Sequence, residues 1–128
     1  MSPVLVFDIE TVPDIAGLRR LHDMDSSLSD HDVAETAFQL RRQSHGNDFL
    51  PHYLQRVLVI SCALHDRDSF KVWSLGAAGE SEGEIIQRFF DGIEKYTPQL
   101  VSWNGSGFDL PVLHYRGLMH GVKASRYW

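Results

Sequence analysis

Asp8 and Glu10 stand two residues apart where the apolar run Val4-Leu5-Val6-Phe7 ends. Side chains alternate along a strand, so both carboxylates face one side. Two anions so placed repel, and a hard divalent cation that takes oxygen ligands, Mg²⁺ or Mn²⁺, supplies the missing counter-charge. Solvated loop pairs have the same spelling, so the pair gains meaning only beside a second cluster. That cluster is Val101-Ser102-Trp103-Asn104-Gly105-Ser106-Gly107-Phe108-Asp109-Leu110-Pro111. Here an apolar run ends in a polar, glycine-rich turn that delivers Asp109 to a helix start, where the helix dipole favours an anion. Asp109 read alone is better explained as an ordinary helix cap. If the strands before the two clusters run parallel, their C-terminal ends meet at one edge of the sheet, which is where open α/β sheets place ligands. Asp8, Glu10 and Asp109 would then converge.

The elements that must position these acids can be read from periodicity. Val4 to Phe7, bounded by Pro3 and Asp8, predicts a central strand buried on both faces. The run stops at Thr11-Val12-Pro13-Asp14; Asp14 can cap a short helix whose apolar positions Ile15, Leu18 and Leu21 carry it to about residue 22. Residues 23–32 are polar and acidic without period and predict a surface loop, followed by a helix near 32–43 and a break at 44–48. Arg56 to His65 reads as a β-branched strand, with a turn at 66–69 into a second strand, Phe70 to Leu75, as an antiparallel hairpin. Gly76-Ala77-Ala78-Gly79 leads to the capping box Ser81-Glu82-Gly83-Glu84, and Ile85, Ile86, Phe89, Phe90 and Ile93 form one apolar helical stripe, which is core. Pro98 ends that helix, Leu100 to Trp103 is a short strand, and a last helix follows the glycine turn, with Pro111 in its first turn and Gly121 past its end. Trp73 and Trp103 each fall in a predicted strand and are read as core. A helix between the third and fourth strands is the usual crossover into a parallel neighbour, so the expected sheet is mixed, within one α/β domain over residues 1–128.

Composition sets the class. The 128 residues carry 12 Lys and Arg against 17 Asp and Glu, and 43% are hydrophobic; a chain of this size buries enough surface to fold without metal or disulfides. The single cysteine, Cys62, lies in an apolar run and reads as a buried thiol in a reducing cytoplasm. Short apolar runs and a start without a basic segment predict neither a membrane span nor a secretion signal. A net charge of −5 argues against a broad basic face that coats nucleic acid. The charge is nonetheless uneven: residues 1–109 hold all 17 acids, whereas 110–128 hold Arg116, Lys123 and Arg126 with no acid. Such a tail could hold phosphates near a metal site, or simply be solvated.

Phe-Asp-Ile-Glu-Thr at 7–11, followed about a hundred residues later by Asn-Gly-x-x-Phe-Asp-Leu-Pro at 104–111, resembles the first two motifs of the DEDD 3′-to-5′ exonucleases of RNase H-like fold. The spelling is most similar to the proofreading domains of family B DNA polymerases and to stand-alone relatives of those domains. The resemblance runs from Val4 to about Trp128 and implies a two-metal phosphodiesterase acting on nucleic-acid 3′ ends, with cations about 3.5 to 4 Å apart. It implies that Asp8 bridges the metals, Glu10 holds the one that activates water, and Asp109 binds the second. Thr11 and Asn104 match positions that contact the terminal nucleotide, and Phe108 would pack beside it or serve as an ordinary core residue. The family also needs a fourth carboxylate, in a Tyr-x-x-x-Asp or His-x-x-x-Asp motif on a helix after a fifth strand, and no acid follows Asp109 in this sequence. The resemblance therefore implies the N-terminal part of a longer domain, weak or inactive by itself, with the strand at 100–103 as an edge able to pair with another copy.

Two other readings compete. A phosphatase of the haloacid-dehalogenase type also places an Asp at a first-strand end, but Glu10 stands where its second Asp belongs. A non-catalytic nucleic-acid-binding or assembly module would keep the fold without turnover and use Arg116, Lys123 and Arg126 for phosphates.

Overall fold

The computed structural model describes residues 2–76 and 79–125. The chain divides into two compact units, residues 1–11 with 57–128, and residues 12–56.

The first unit is built on a sheet in the order β3-β2-β1-β4. β1 is Val4–Pro13, β2 Gln55–Asp66, β3 Ser69–Leu75 and β4 Gln99–Val101. β2 and β3 are antiparallel, from Ile60 opposite Leu75 to Asp66 opposite Ser69. β4 runs parallel to β1, pairing Val4 with Gln99, Leu5 with Leu100 and Val6 with Val101. The sheet is thus mixed, with the hairpin and the parallel crossover where periodicity predicted them. β1 ends at Pro13, within the segment 11–14 where the sequence expects the run to stop, since proline has no N–H to carry a ladder further.

Leu5, Phe7 and Ile9 are buried while Val6, Asp8 and Glu10 between them are exposed. The expectation of a strand buried on both faces is therefore corrected: period-2 alternation gives β1 one core face and one open face. The core face receives α3, Glu82–Tyr96, whose Ile85, Ile86, Phe89, Phe90 and Ile93 are all buried. The Phe7 and Phe89 rings meet at 5.0 Å between centroids. α4, Leu110–Met119, adds Val112 and Leu113 to the same core. Ser81 caps α3 by accepting from the Glu84 N–H at 3.3 Å, the expected half of a capping box. Cys62 is buried, and burial pushes its thiol up to about 11, so it stays protonated and inert near neutral pH.

The second unit carries α1, Ile15–His22, and α2, Asp30–His45. Asp14 caps α1 through the Gly17 N–H, as the sequence predicts. α2 starts two residues earlier than expected because Ser29 is its cap, accepting from the Asp32 N–H. Leu18, Val33, Ala37, Leu50 and Leu54 form a small core of its own.

Gly76 closes β3 with φ +106°, and a Cβ there would stand 2.2 Å from the Leu58 carbonyl oxygen. Gly79 has φ +74° with open space around it. Both positions resist side chains through strain, at about 1–3 kcal/mol each, but only Gly76 adds a collision with backbone. In denaturant unfolding, Gly76→Ala should therefore cost clearly more stability than Gly79→Ala; equal losses would contradict the close approach.

Candidate metal and nucleic-acid site

The first site element is the open face of β1. Burial of Leu5, Phe7 and Ile9 under α3 turns Asp8 and Glu10 the other way, so the two carboxylates share a face and stand in solvent. Among the described residues neither has a side-chain hydrogen bond or ion pair. Thr11 follows, half-buried.

The second element is the turn after β4. β4 runs parallel to β1 and ends at Val101, opposite Val6 and short of Asp8 by two residues of β1. After Val101 the chain passes Ser102 and Trp103 into a wide helical turn, Gly105–Asp109, and then into α4. The Asn104 carbonyl accepts from the Phe108 N–H at 2.9 Å and from the Asp109 N–H at 3.4 Å, which closes the turn. Asn104 itself is exposed, with its side chain folded over Gly107, where a Cβ would lie 2.6 Å from the Asn104 Oδ1. Phe108 is half-buried and packs against the main core.

Asp109 differs from both simple expectations. It makes no capping hydrogen bond, so it is not an ordinary helix cap. It is 4% exposed, and its Oδ2 accepts from the Ser102 hydroxyl at 2.8 Å. Among the described residues no three His, Cys, Asp or Glu side chains stand together closely enough to hold one cation. The two clusters thus follow paired strands that run the same way, while the three acids do not form a closed cage: two carboxylates face solvent and the third is tied to a hydroxyl. As donors, Asp8 and Glu10 fit a hard divalent cation, being adjacent, ionisable and uncompensated.

Two sequence expectations are corrected here. Trp103 is not core; β4 ends at Val101, so the indole lies beyond the strand in the turn and is fully exposed, at 103%. Trp73 is half-buried against the core, as read from its strand. Arg116 is not available to phosphates. It is 3% exposed and grips Glu82, with Nη2 to Oε1 at 2.6 Å and Nε to Oε2 at 3.0 Å. Glu82 Oε2 also accepts the Val57 N–H at 2.6 Å, and Oε1 pairs with His120 Nε2 at 2.7 Å. One carboxylate therefore ties β2, the start of α3 and the end of α4. Of the other two tail cations, Lys123 is exposed, and Arg126 lies outside the described residues, as do Ala77 and Ala78 of the predicted link.

Sequence reasoning passed over Glu82 with Arg116, because partners 34 residues apart leave no local spacing. It also passed over Ser102, which could have been flagged as the hydroxyl one residue past an apolar run that ends at a carboxylate-bearing turn.

Burial works to raise the Glu82 carboxyl, but hydrogen bonds from Arg116, His120 and the Val57 N–H outweigh it and hold the group below the usual carboxylate range. A depressed folded-state value means that the stabilisation is complete above the unfolded carboxyl's titration and is lost as pH falls through the folded one. The melting temperature should therefore drop on acidification below about pH 4.5, and Glu82→Gln should start lower yet lose less over the same range. Parallel acid limbs would contradict this assignment. Replacing Arg116 by Ala strands the buried carboxylate and should cost about 3–5 kcal/mol, which urea unfolding can check.

An α/β unit with a mixed, RNase H-like sheet and a carboxylate-bearing end defines the class. The chain belongs to the family described as predicted 3′-5′ exonuclease related to the exonuclease domain of PolB, whose model matches residues 47–128. It is also similar to DNA polymerase 1 of Sulfurisphaera ohwakuensis, at 49% identity over 39 residues, which covers 30% of this chain and 4% of that polymerase. No solved structure matches. No helix among the described residues is long and apolar enough to cross a membrane.

Proposed function

We propose that the protein is a divalent-metal-dependent 3′-to-5′ exonuclease acting on single-stranded or frayed nucleic-acid ends in the cytoplasm. The observation that carries this is the exposed, uncompensated pair Asp8 and Glu10 on a strand parallel to the one that leads to Asp109, in a chain of that exonuclease family.

In this reading Asp8 and Glu10 hold Mg²⁺ or Mn²⁺ as hard oxygen ligands, with Asp109 as the third carboxylate. Metal held by these carboxylates would supply activation of a water and charge stabilisation for the leaving 3′ oxygen of an in-line displacement. The chain's own residues do the rest. Ser102 fixes Asp109 until it is needed, the exposed Asn104 and the half-buried Thr11 meet the terminal nucleotide, and Phe108 stiffens the turn from the core side. With three acids and no fourth carboxylate after Asp109, these 128 residues alone turn over slowly. The edge strand β4 offers unpaired backbone groups through which a second copy can add to the sheet.

A non-catalytic module of the same fold is the second reading, and the tethering of Asp109 to Ser102 is what favours it. The test is a 5′-labelled single-stranded oligonucleotide incubated with near-stoichiometric protein and Mn²⁺. The expected result is a slow ladder of products shortened from the 3′ end, lost in Asp8→Ala and in Glu10→Ala. An oligonucleotide that stays intact under these conditions supports the module instead. Fast catalytic trimming by the wild type would refute the slow-turnover part of the proposal.

A further inference from the structure

The second unit, residues 12–56, carries a groove that its own packing leaves open. Leu18, Ala37, Leu50 and Leu54, all buried, form the floor. Leu21 of α1 and Leu40 of α2 also line it, yet they are 55% and 43% exposed. Single exposed leucines are ordinary, but leucines from two helices that border one apolar groove mark a contact surface. The groove holds about 240 Å³, less than the roughly 300–1,000 Å³ of sites that enclose a whole small molecule. It has room for a side chain or two.

The polar part of the lining is His22, Arg41, Ser44 and His45, with no acid, in a chain of net charge −5. Arg41 is half-buried and fixed. Its Nε donates to the Phe49 carbonyl at 2.9 Å and its Nη1 to His45 Nε2 at 3.1 Å. A guanidinium only donates, so His45 Nε2 accepts, the His45 Nδ1–H donates to the Ser44 hydroxyl at 2.6 Å, and that hydroxyl donates to the Leu40 carbonyl at 3.0 Å. Neutral acceptors alone thus hold the arginine in place, and among the described residues no carboxylate pairs with it. Cations in the last turn of α2 suit the helix dipole. That explains the charge, but neither the fixed guanidinium nor the exposed leucines.

We propose that this groove docks an acidic peptide segment of a partner protein, with a leucine-sized side chain in the groove and a carboxylate on Arg41. The remaining N–H groups of a positioned guanidinium match a carboxylate in charge and in shape, and the leucines gain by leaving water. The chain's own acidic segment 23–32 is not the occupant, because its Met24 and Leu28 pack on the core of their own unit. A nucleic-acid strand fits less well, since bases stack on aromatic rings and the floor is aliphatic. The docking site is independent of the exonuclease reading and needs no metal.

The test is fluorescence anisotropy of a fluorescein-labelled pool of short peptides in which Asp or Glu alternates with Leu, Ile, Met or Phe, against wild type, Arg41→Gln and Leu40→Ser. Two control pools carry Ser at the apolar positions or Lys at the acidic ones. Melting temperatures check that the variants fold, and where one does not, the other decides. The wild type should bind the acidic apolar pool and neither control, more weakly as salt is raised. Arg41→Gln should weaken that binding about 10- to 150-fold, as for a hydrogen bond to a charged group, and Leu40→Ser about 5-fold. No binding by the wild type, equal binding of the Ser pool, or unchanged affinity in both variants overturns the docking site. If a labelled single-stranded oligonucleotide binds instead and Arg41→Gln weakens it, the groove takes nucleic acid and the proposal fails. A concentration-dependent dimer that Leu40→Ser abolishes, with no peptide bound, assigns the groove to a second copy and overturns the proposal as well.

Discussion

The site depends on one constraint, the alternation of β1 against α3. Leu5, Phe7 and Ile9 must be buried for the sheet to have a core, and Phe7 is held there by the Phe89 ring. Once that face is fixed, Val6, Asp8 and Glu10 have no choice but the opposite one. A slip of one residue would bury both carboxylates and expose the Leu-Phe-Ile row, so the hydrophobic pattern protects the register on which the acids rely. The energy that positions two anions side by side thus comes from apolar burial elsewhere in the strand.

The same logic explains why the second cluster sits where it does. The apolar stripe of α3 crosses the core face and returns the chain as β4 beside β1 in the same direction, so the polar turn at 102–109 starts just past the Val6–Val101 pair. Glu82 then locks the far end of α4 through Arg116 and His120 and reaches β2 through the Val57 N–H. With both ends of α4 fixed, one by this buried ion pair and the other by the wide turn closed on the Asn104 carbonyl, Asp109 has little freedom beyond its own side-chain torsions. A buried ion pair adds little net stability compared with an apolar pair of the same shape; its value here is in fixing the helix that carries the acid.

What could be read from the sequence was whatever local period encodes. The strand and helix order, the hairpin, the caps at Asp14 and Ser81 and the α3 stripe were all legible because each lies within a few residues of its own cause. The exposure of Trp103 was not. Its apolar neighbours Leu100 and Val101 suggested a strand that ends only after it, whereas pairing stops at Val101 and leaves the indole in solvent. Arg116 looked like one of three cations in a solvated tail because nothing local marks its partner, Glu82. The motif marked Asp109 as a candidate acid, but its bond to Ser102 is a matter of side-chain geometry that spacing does not encode.

The central claim is that Asp8 and Glu10 form the primary cation site. Paramagnetic broadening of backbone amide signals by substoichiometric Mn²⁺ tests it most directly, because it reports where the ion sits without requiring turnover. The account predicts that broadening centres on residues 8–10 and extends to 102–109, and that Asp8→Asn abolishes it. Broadening centred instead on the acidic segment 23–32, or unchanged in Asp8→Asn, would contradict it.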